Sequence, residues 1–138
     1  MILSGTAEYA LRAILYLAER GENGPVPAAE VSAALKIPPN YLGKILHELA
    51  RSKILTSSRG KRGGFILAVK PDRLPLLKVV SLFDDFSQER RCLLSRNRCN
   101  DQNPCLVHDR WSDVSQQVTT FFRETTVGDL LKQGTAES

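Results

Sequence analysis

The 138-residue chain lacks a long apolar stretch. Its longest unbroken aliphatic run is Ile66 to Val69, far short of the ~20 residues that a membrane-spanning helix needs. The stretch from Met1 to Tyr9 has neither the basic segment nor the long apolar region of a secretory signal. These absences give the expectation of a cytoplasmic protein with no membrane partner. Cysteine is scarce as well. Cys92, Cys99 and Cys105 are the three present, and an odd number packed into one short segment is a poor disulfide framework. In a reducing compartment such a cluster reads as metal-binding or reactive thiols. Internal repeats and low-complexity tracts are also missing. Hydrophobic residues make up 42% and charged residues 25%, which supports one ordinary core and argues against global disorder.

The charge is unevenly placed. Between Lys36 and Lys70 lie eight basic residues and one acid, Glu48, a net +7 within a chain whose formal charge is +4. A focused basic patch on an otherwise acidic protein suits either a polyanionic partner or a solvated lysine-rich face.

Periodicity predicts an α-rich fold. Ala7, Ala10, Leu11, Ile14, Leu15, Leu17 and Ala18 mark one face of a helix over 6–20, with Ser4 and Thr6 as candidate caps and Gly21 as the stop. A short helix over 28–35, with Pro27 in its first turn and Val31 and Leu35 facing inward, precedes one over 40–52 whose buried stripe is Leu42, Ile45, Leu46 and Leu49. The outer face of that third helix carries Asn40, Tyr41, Lys44, His47, Glu48 and Arg51, so the pair forms a helix-turn-helix candidate. Two strands, 54–58 and 63–69, flank Arg59-Gly60-Lys61-Arg62-Gly63-Gly64. This connector supplies flexible turn residues and three cations. A hairpin with a basic tip after a helix-turn-helix is the wing of a winged helix; the plainer alternative is a surface hairpin.

A helix over 74–86 follows, with Leu77, Val80 and Phe83 inward and Pro75 near its start. A polar segment then leads to a helix over 106–125 in which Val107, Trp111, Val114, Val118, Phe121 and Thr125 recur at alternating spacings of four and three. That is a heptad-like seam on a helix about 30 Å long, and it predicts a partner helix from a second copy. The predicted architecture is mainly α with a small β-hairpin wing: a winged helix-turn-helix DNA-binding domain (1–86), a cysteine-rich loop (87–105), a long dimerisation helix with a short C-terminal helix (106–131) and a frayed tail (132–138).

The strongest chemical signal is Cys92-(six residues)-Cys99-(five residues)-Cys105-(two residues)-His108. Three thiols and an imidazole can close a tetrahedral site. Cys105 and His108, three apart at a helix start, share a face. Nearby Arg90, Arg91, Arg96 and Arg98 favour thiolates. Structural zinc sites usually contain a closer cysteine pair, and the wide spacing here suits a bulkier iron–sulfur cluster better. Cys105 with His108 as a nucleophile pair lacks an oxyanion device or orienting residue, so an enzyme with a small-molecule substrate is not expected.

The chain resembles the bacterial winged-helix iron–sulfur transcription regulators of the IscR and NsrR type. The matching residues are Tyr9-Ala10-Leu11-Arg12-Ala13, Pro25-Val26-Pro27, Tyr41-Leu42, the wing Arg59 to Phe65, the three cysteines followed by Leu106-Val107-His108-Asp109-Arg110-Trp111, and Thr126-Val127-Gly128-Asp129-Leu130. The resemblance implies a homodimer on near-palindromic double-stranded operator DNA, with affinity controlled by a cluster. It implies Cys92, Cys99, Cys105 and His108 as ligands of a [2Fe–2S] cluster. It also offers Glu8, at the position where NsrR-like members present an acidic ligand from the partner subunit, as an alternative fourth ligand to a [4Fe–4S] cluster sensing nitric oxide or redox state. The first cysteine gap is six residues where the IscR-like pattern has five. A zinc- or thiol-based redox regulator of the same fold is the remaining alternative. Carried over by position, Asn40, Tyr41, Lys44 and Arg51 face DNA from the third helix, Arg59 reaches the minor groove, and Lys61 and Arg62 meet phosphates.

Overall fold

The computed structural model describes residues 3–21, 23–84 and 108–133. Among them run α1 (Gly5–Arg20), α2 (Ala28–Leu35), α3 (Pro39–Arg51), β1 (Leu55–Ser58), β2 (Gly64–Leu67), a 3-10 turn (Pro71–Arg73), α4 (Leu76–Val80), α5 (His108–Glu124) and α6 (Val127–Leu131).

Helix α1 is the hub. Ser4 Oγ accepts the Ala7 amide at 3.1 Å, pairing one of the donors that a helix start leaves open. At the other end Gly21 turns its amide back onto the carbonyls of Leu17 and Ala18. The buried face is Ala7, Ala10, Ala13, Ile14, Leu17 and Ala18. Its small alanines let α3 and α4 pack closely against it. Leu11 and Leu15, expected on that face, are half-buried at its margin.

Pro27 precedes the first turn of α2 as its N-cap rather than lying inside it, and Lys36 in the left-handed region ends the helix. Buried Ser32 donates its hydroxyl to the Ile37 carbonyl, and Ile37 is buried in turn, which locks the turn between the two helices. Arg12 of α1 donates to the Leu35 carbonyl at 3.2 Å, covering an open acceptor at the α2 C-terminus. Outside this junction Tyr16 donates to Glu30 at 3.0 Å, and Arg20 pairs with the same carboxylate at 3.2 Å. Burial and the Glu30 carboxylate together push the Tyr16 phenol above its ordinary range. Helix α3 buries Leu42, Ile45, Leu46 and Leu49, the stripe its spacing demands.

The hairpin pairs Leu55 with Leu67, Thr56 with Ile66, Ser57 with Phe65 and Ser58 with Gly64. Val26 bridges the other edge of β2: it exchanges two 2.9 Å backbone bonds with Phe65, so the loop before α2 is stitched to β2. Buried Phe65 also meets His47 edge-to-face, centroids 5.7 Å apart, which ties the base of the wing to α3.

The fourth helix is shorter than expected, and its register is shifted. Leu74 is extended (φ −113°, ψ 95°) because a residue preceding proline is pushed out of the helical region. The helix therefore starts only after Pro75. It buries Leu76, Val79 and Val80, while Leu77 and Phe83 are half-buried. Phe86 lies outside the described residues.

The C-terminal elements return to this domain. Leu76 donates to the Thr125 carbonyl at 2.9 Å and Val127 to the Leu74 carbonyl at 2.8 Å, and Phe122 and Val127 join the same hydrophobic core as α1 and α4. Thr126 and Asp129 form a reciprocal capping box at the start of α6. Hydrogen bonds from the Thr126 backbone and then its side chain hold the Asp129 carboxyl below the usual carboxylate range. A depressed native pKa contributes stability above the ordinary carboxylate pKa and loses it as pH falls through the lowered value. Thr126→Ala should cost about 1 kcal/mol, and Asp129→Asn should flatten that acid dependence, as read by thermal melts at neutral and acidic pH.

Candidate nucleic-acid interface

The outward face of α3 presents Asn40, Tyr41 and Lys44 near its N-terminal end and Arg51 at its last residue, all exposed. Arg51 is paired with Glu48. Tyr41 is 40% exposed and is held from one side by α1. Its hydroxyl hydrogen-bonds the Thr6 hydroxyl, and its ring meets Tyr9 edge-to-face at 5.6 Å. Arg12 lies over the Tyr9 ring at 5.9 Å, a cation–π contact that fixes the ring backing Tyr41. A surface groove between the two helices is lined by Tyr9, Pro38, Asn40, Tyr41 and Lys44. Thr6 and Tyr9 were not legible as interface residues in the sequence: Thr6 reads there as a helix cap, and a contact between residues 35 apart leaves no periodic signal.

Residues 59–63 join the two strands and carry Arg59, Lys61 and Arg62 exposed at the tip of the hairpin. None of the three pairs with an acid among the described residues. The wing thus holds three uncompensated cations beside the polar face of α3, the charge arrangement that a phosphate backbone attracts.

Helix α5 has two faces. Phe122, 6% exposed, enters the core, with Val118 packed against it. Val114 and Phe121, seven residues apart on one face, stay 48% and 49% exposed. Beside them runs a shallow surface lined by Asp113, Gln116, Gln117, Thr120 and Phe121. Of the seam residues read from the sequence, Val114 and Phe121 face outward while Val118 packs against this chain's own core, and the aromatic that fills that core is Phe122. Val107 lies outside the described residues.

The model of a family described as "Rrf2: Iron-dependent Transcriptional regulator" matches residues 3–133. The chain belongs to the Rrf2 family. A protein of Aquifex aeolicus (strain VF5), named as a candidate HTH-type transcriptional regulator, is 38% identical over 133 residues, 95% of this chain and 92% of that protein. The HTH-type transcriptional regulator IscR of Klebsiella pneumoniae (strain 342) is 31% identical over 131 residues, 95% of this chain and 80% of IscR. In fold the chain is similar to the solved structure of CymR, the global cysteine regulator of B. subtilis, with a TM-score of 0.79 at 19% identity, covering 96% of this chain and 97% of that one. Membership of the Rrf2 family makes this a helix-turn-helix transcriptional regulator of IscR-like type that binds DNA, and not an enzyme. The expected winged-helix architecture agrees with these relatives and with the two-stranded hairpin.

For an Rrf2 protein the remaining question is the metal. Cys92, Cys99 and Cys105 lie outside the described residues, as does the side chain of His108, whose backbone opens α5. Among the described residues no three His, Cys, Asp or Glu side chains converge on a metal-sized site. Three thiols and an imidazole are the donor types that iron–sulfur clusters take, so the segment fits such a group by its chemistry. Glu8 is exposed in the first turn of α1 and forms no ion pair with a described residue. No helix among the described residues is long and apolar enough to cross a membrane.

Proposed function

We propose that the protein is a homodimeric regulator whose affinity for near-palindromic operator DNA is set by an iron–sulfur cluster, [2Fe–2S], held by Cys92, Cys99, Cys105 and His108. One observation carries this reading. The whole donor set falls between the DNA-binding head and the first residue of α5, the helix whose outer strip is apolar and exposed. When bound, the cluster would supply a crosslink that depends on iron and redox state. The chain's own residues do the rest. Val114 and Phe121 bury against a second copy, setting two α3 helices about one DNA turn, 34–36 Å, apart. Asn40, Tyr41, Lys44 and Arg51 approach the major groove, Arg59 the minor groove, and Lys61 and Arg62 the phosphates. Because α5 packs on α4, the angle between the two heads follows the geometry of the segment joining them. The exposed carboxylate of Glu8 supports a second reading, a [4Fe–4S] cluster completed by the partner subunit's Glu8.

Anaerobic isolation followed by iron and acid-labile sulfide counts tests the assignment. Cluster-loaded protein should be coloured, each of Cys92→Ser, Cys99→Ser and Cys105→Ser should remove most of the iron, and loaded and cluster-free forms should differ at least about fivefold in DNA affinity. His108→Ala with an altered spectrum supports the [2Fe–2S] reading; an unchanged spectrum shifts the fourth ligand to Glu8. A colourless protein containing zinc, or one that forms disulfides under oxidant without metal, replaces the cluster with the zinc or thiol alternative.

A further inference from the structure

Among the described residues, nothing in the hairpin accounts for the way α1 grips the first turn of α3. Tyr41 is partly exposed, yet its position is fixed twice: its ring rests against Tyr9, itself backed by Arg12, and its hydroxyl pairs with Thr6. Both helices then frame one groove in which Tyr9, Asn40, Tyr41 and Lys44 converge over Pro38. A core does not need this arrangement, since these polar groups face solvent.

The hydrogen count of the hydroxyl pair is informative. Each hydroxyl has one hydrogen to donate. One is used between Thr6 and Tyr41, so the pair keeps one further hydrogen to donate, and Tyr41 is its member that lines the groove. The Lys44 ammonium lines the same groove and forms no ion pair with a described residue. The Asn40 amide adds a further donor. A preset neutral donor, a cation and an amide around an open, apolar-floored notch suit a tetrahedral oxyanion that is part of a larger ligand. Phosphate and sugar take roughly half to two-thirds of protein–DNA hydrogen bonds, and hydroxyls, amides and lysines are among their donors.

We infer that the groove between α1 and α3 seats a DNA backbone phosphate, bound by Lys44 and by the Thr6–Tyr41 hydroxyl pair, so that Thr6 acts as the positioning residue for Tyr41 and α1 takes part in DNA binding. The inference rests on the DNA-binding reading and adds a residue from outside the helix-turn-helix and wing. A phosphate contact fixes register without reading sequence, so its loss weakens binding to every duplex alike. The hydroxyls are neutral, so their loss leaves the salt dependence unchanged, whereas loss of Lys44 lowers the slope by about one ion.

The test uses the full chain, isolated anaerobically, and a fluorescent mixed-sequence duplex about three helical turns long, with anisotropy read across a salt series. Thr6→Val should weaken binding roughly tenfold, the worth of one hydrogen bond to a charged group, at an unchanged melting temperature and salt slope. Thr6→Ser should restore affinity to within about twofold, since it returns the hydroxyl. Tyr41→Phe should match Thr6→Val, and the double variant should be no weaker than either single one, because both remove the same pair. Arg59→Ala, at the wing, is the control for the DNA-binding reading itself. Wild-type affinity in Thr6→Val alongside weakened Arg59→Ala would overturn the phosphate seat and leave DNA binding standing, as would additive losses in the double variant. Absence of binding by the wild-type chain would overturn both.

Discussion

Gly64→Ala should destabilise the protein by about 3 kcal/mol, on the order of 10 °C in Tm, while Gly43→Ala should be neutral or mildly stabilising. Gly64 opens β2 at φ 154°, a backbone region left almost entirely to glycine. A Cβ added there would lie 2.4 Å from both the carbonyl carbon and the oxygen of Val26. Those atoms are backbone and cannot swing aside as a side chain would. They also belong to the residue that exchanges two hydrogen bonds with Phe65. Relief therefore means parting the rung that fastens the wing to the loop before α2, and disturbing buried Phe65 with it. At Gly43, within α3, an added Cβ meets nothing within 4 Å, and alanine is the better helix former by about 1 kcal/mol. Thermal melts of the two variants give the comparison. Equal melting temperatures would mean that the wing is not anchored at Val26. DNA binding should fall in Gly64→Ala even below its melting transition, because the cations at 59–62 lose their fixed position relative to α3.

The second large effect is expected from Val114→Glu combined with Phe121→Glu. Both side chains are about half exposed on one face of α5; neither is part of the core, which Phe121 touches only through the edge of Phe122, and Phe122 itself is left intact. If a second copy covers the strip, two carboxylates per chain, four per pair, would be buried without partners, a penalty of several kcal/mol. Light scattering should then report a monomer with a wild-type melting profile at high dilution. Affinity for a two-half-site operator should drop at least about a hundredfold, because each head then binds alone. A dimer of undiminished stability would place the subunit contact elsewhere.

The sequence made the helical frame legible wherever burial and periodicity coincide. In α3, Leu42, Ile45, Leu46 and Leu49 are all buried as their spacing requires. It was less informative where local sterics or three-dimensional packing decide. Pro75 delays α4 through the extended conformation it imposes on Leu74, so the inward residues shift from Leu77 and Phe83 to Leu76 and Val79. On α5 the heptad spacing picks out Phe121, while the core takes Phe122, because the helix turns one face into the core and another outward. The basic residues of the wing were legible because charge needs no geometry to be noticed. Cys92, Cys99, Cys105 and His108 stand out as candidate donors for the same reason, since thiolate and imidazole chemistry resides in residue type, and the three cysteines lie outside the described residues. Thr6 and Tyr9 were not, because their importance comes from meeting Tyr41 across a fold.

The paired amides and carbonyls that join Leu74 and Leu76 to Thr125 and Val127 fasten the chain into a closed ring. Everything from the start of α4 to the end of α5 is strung from that clasp, and the clasp consists of main-chain atoms alone. The sequence between Asp84 and His108 can therefore change in length at roughly 0.6 kcal/mol per doubling without loosening the knot that holds α5 to α4.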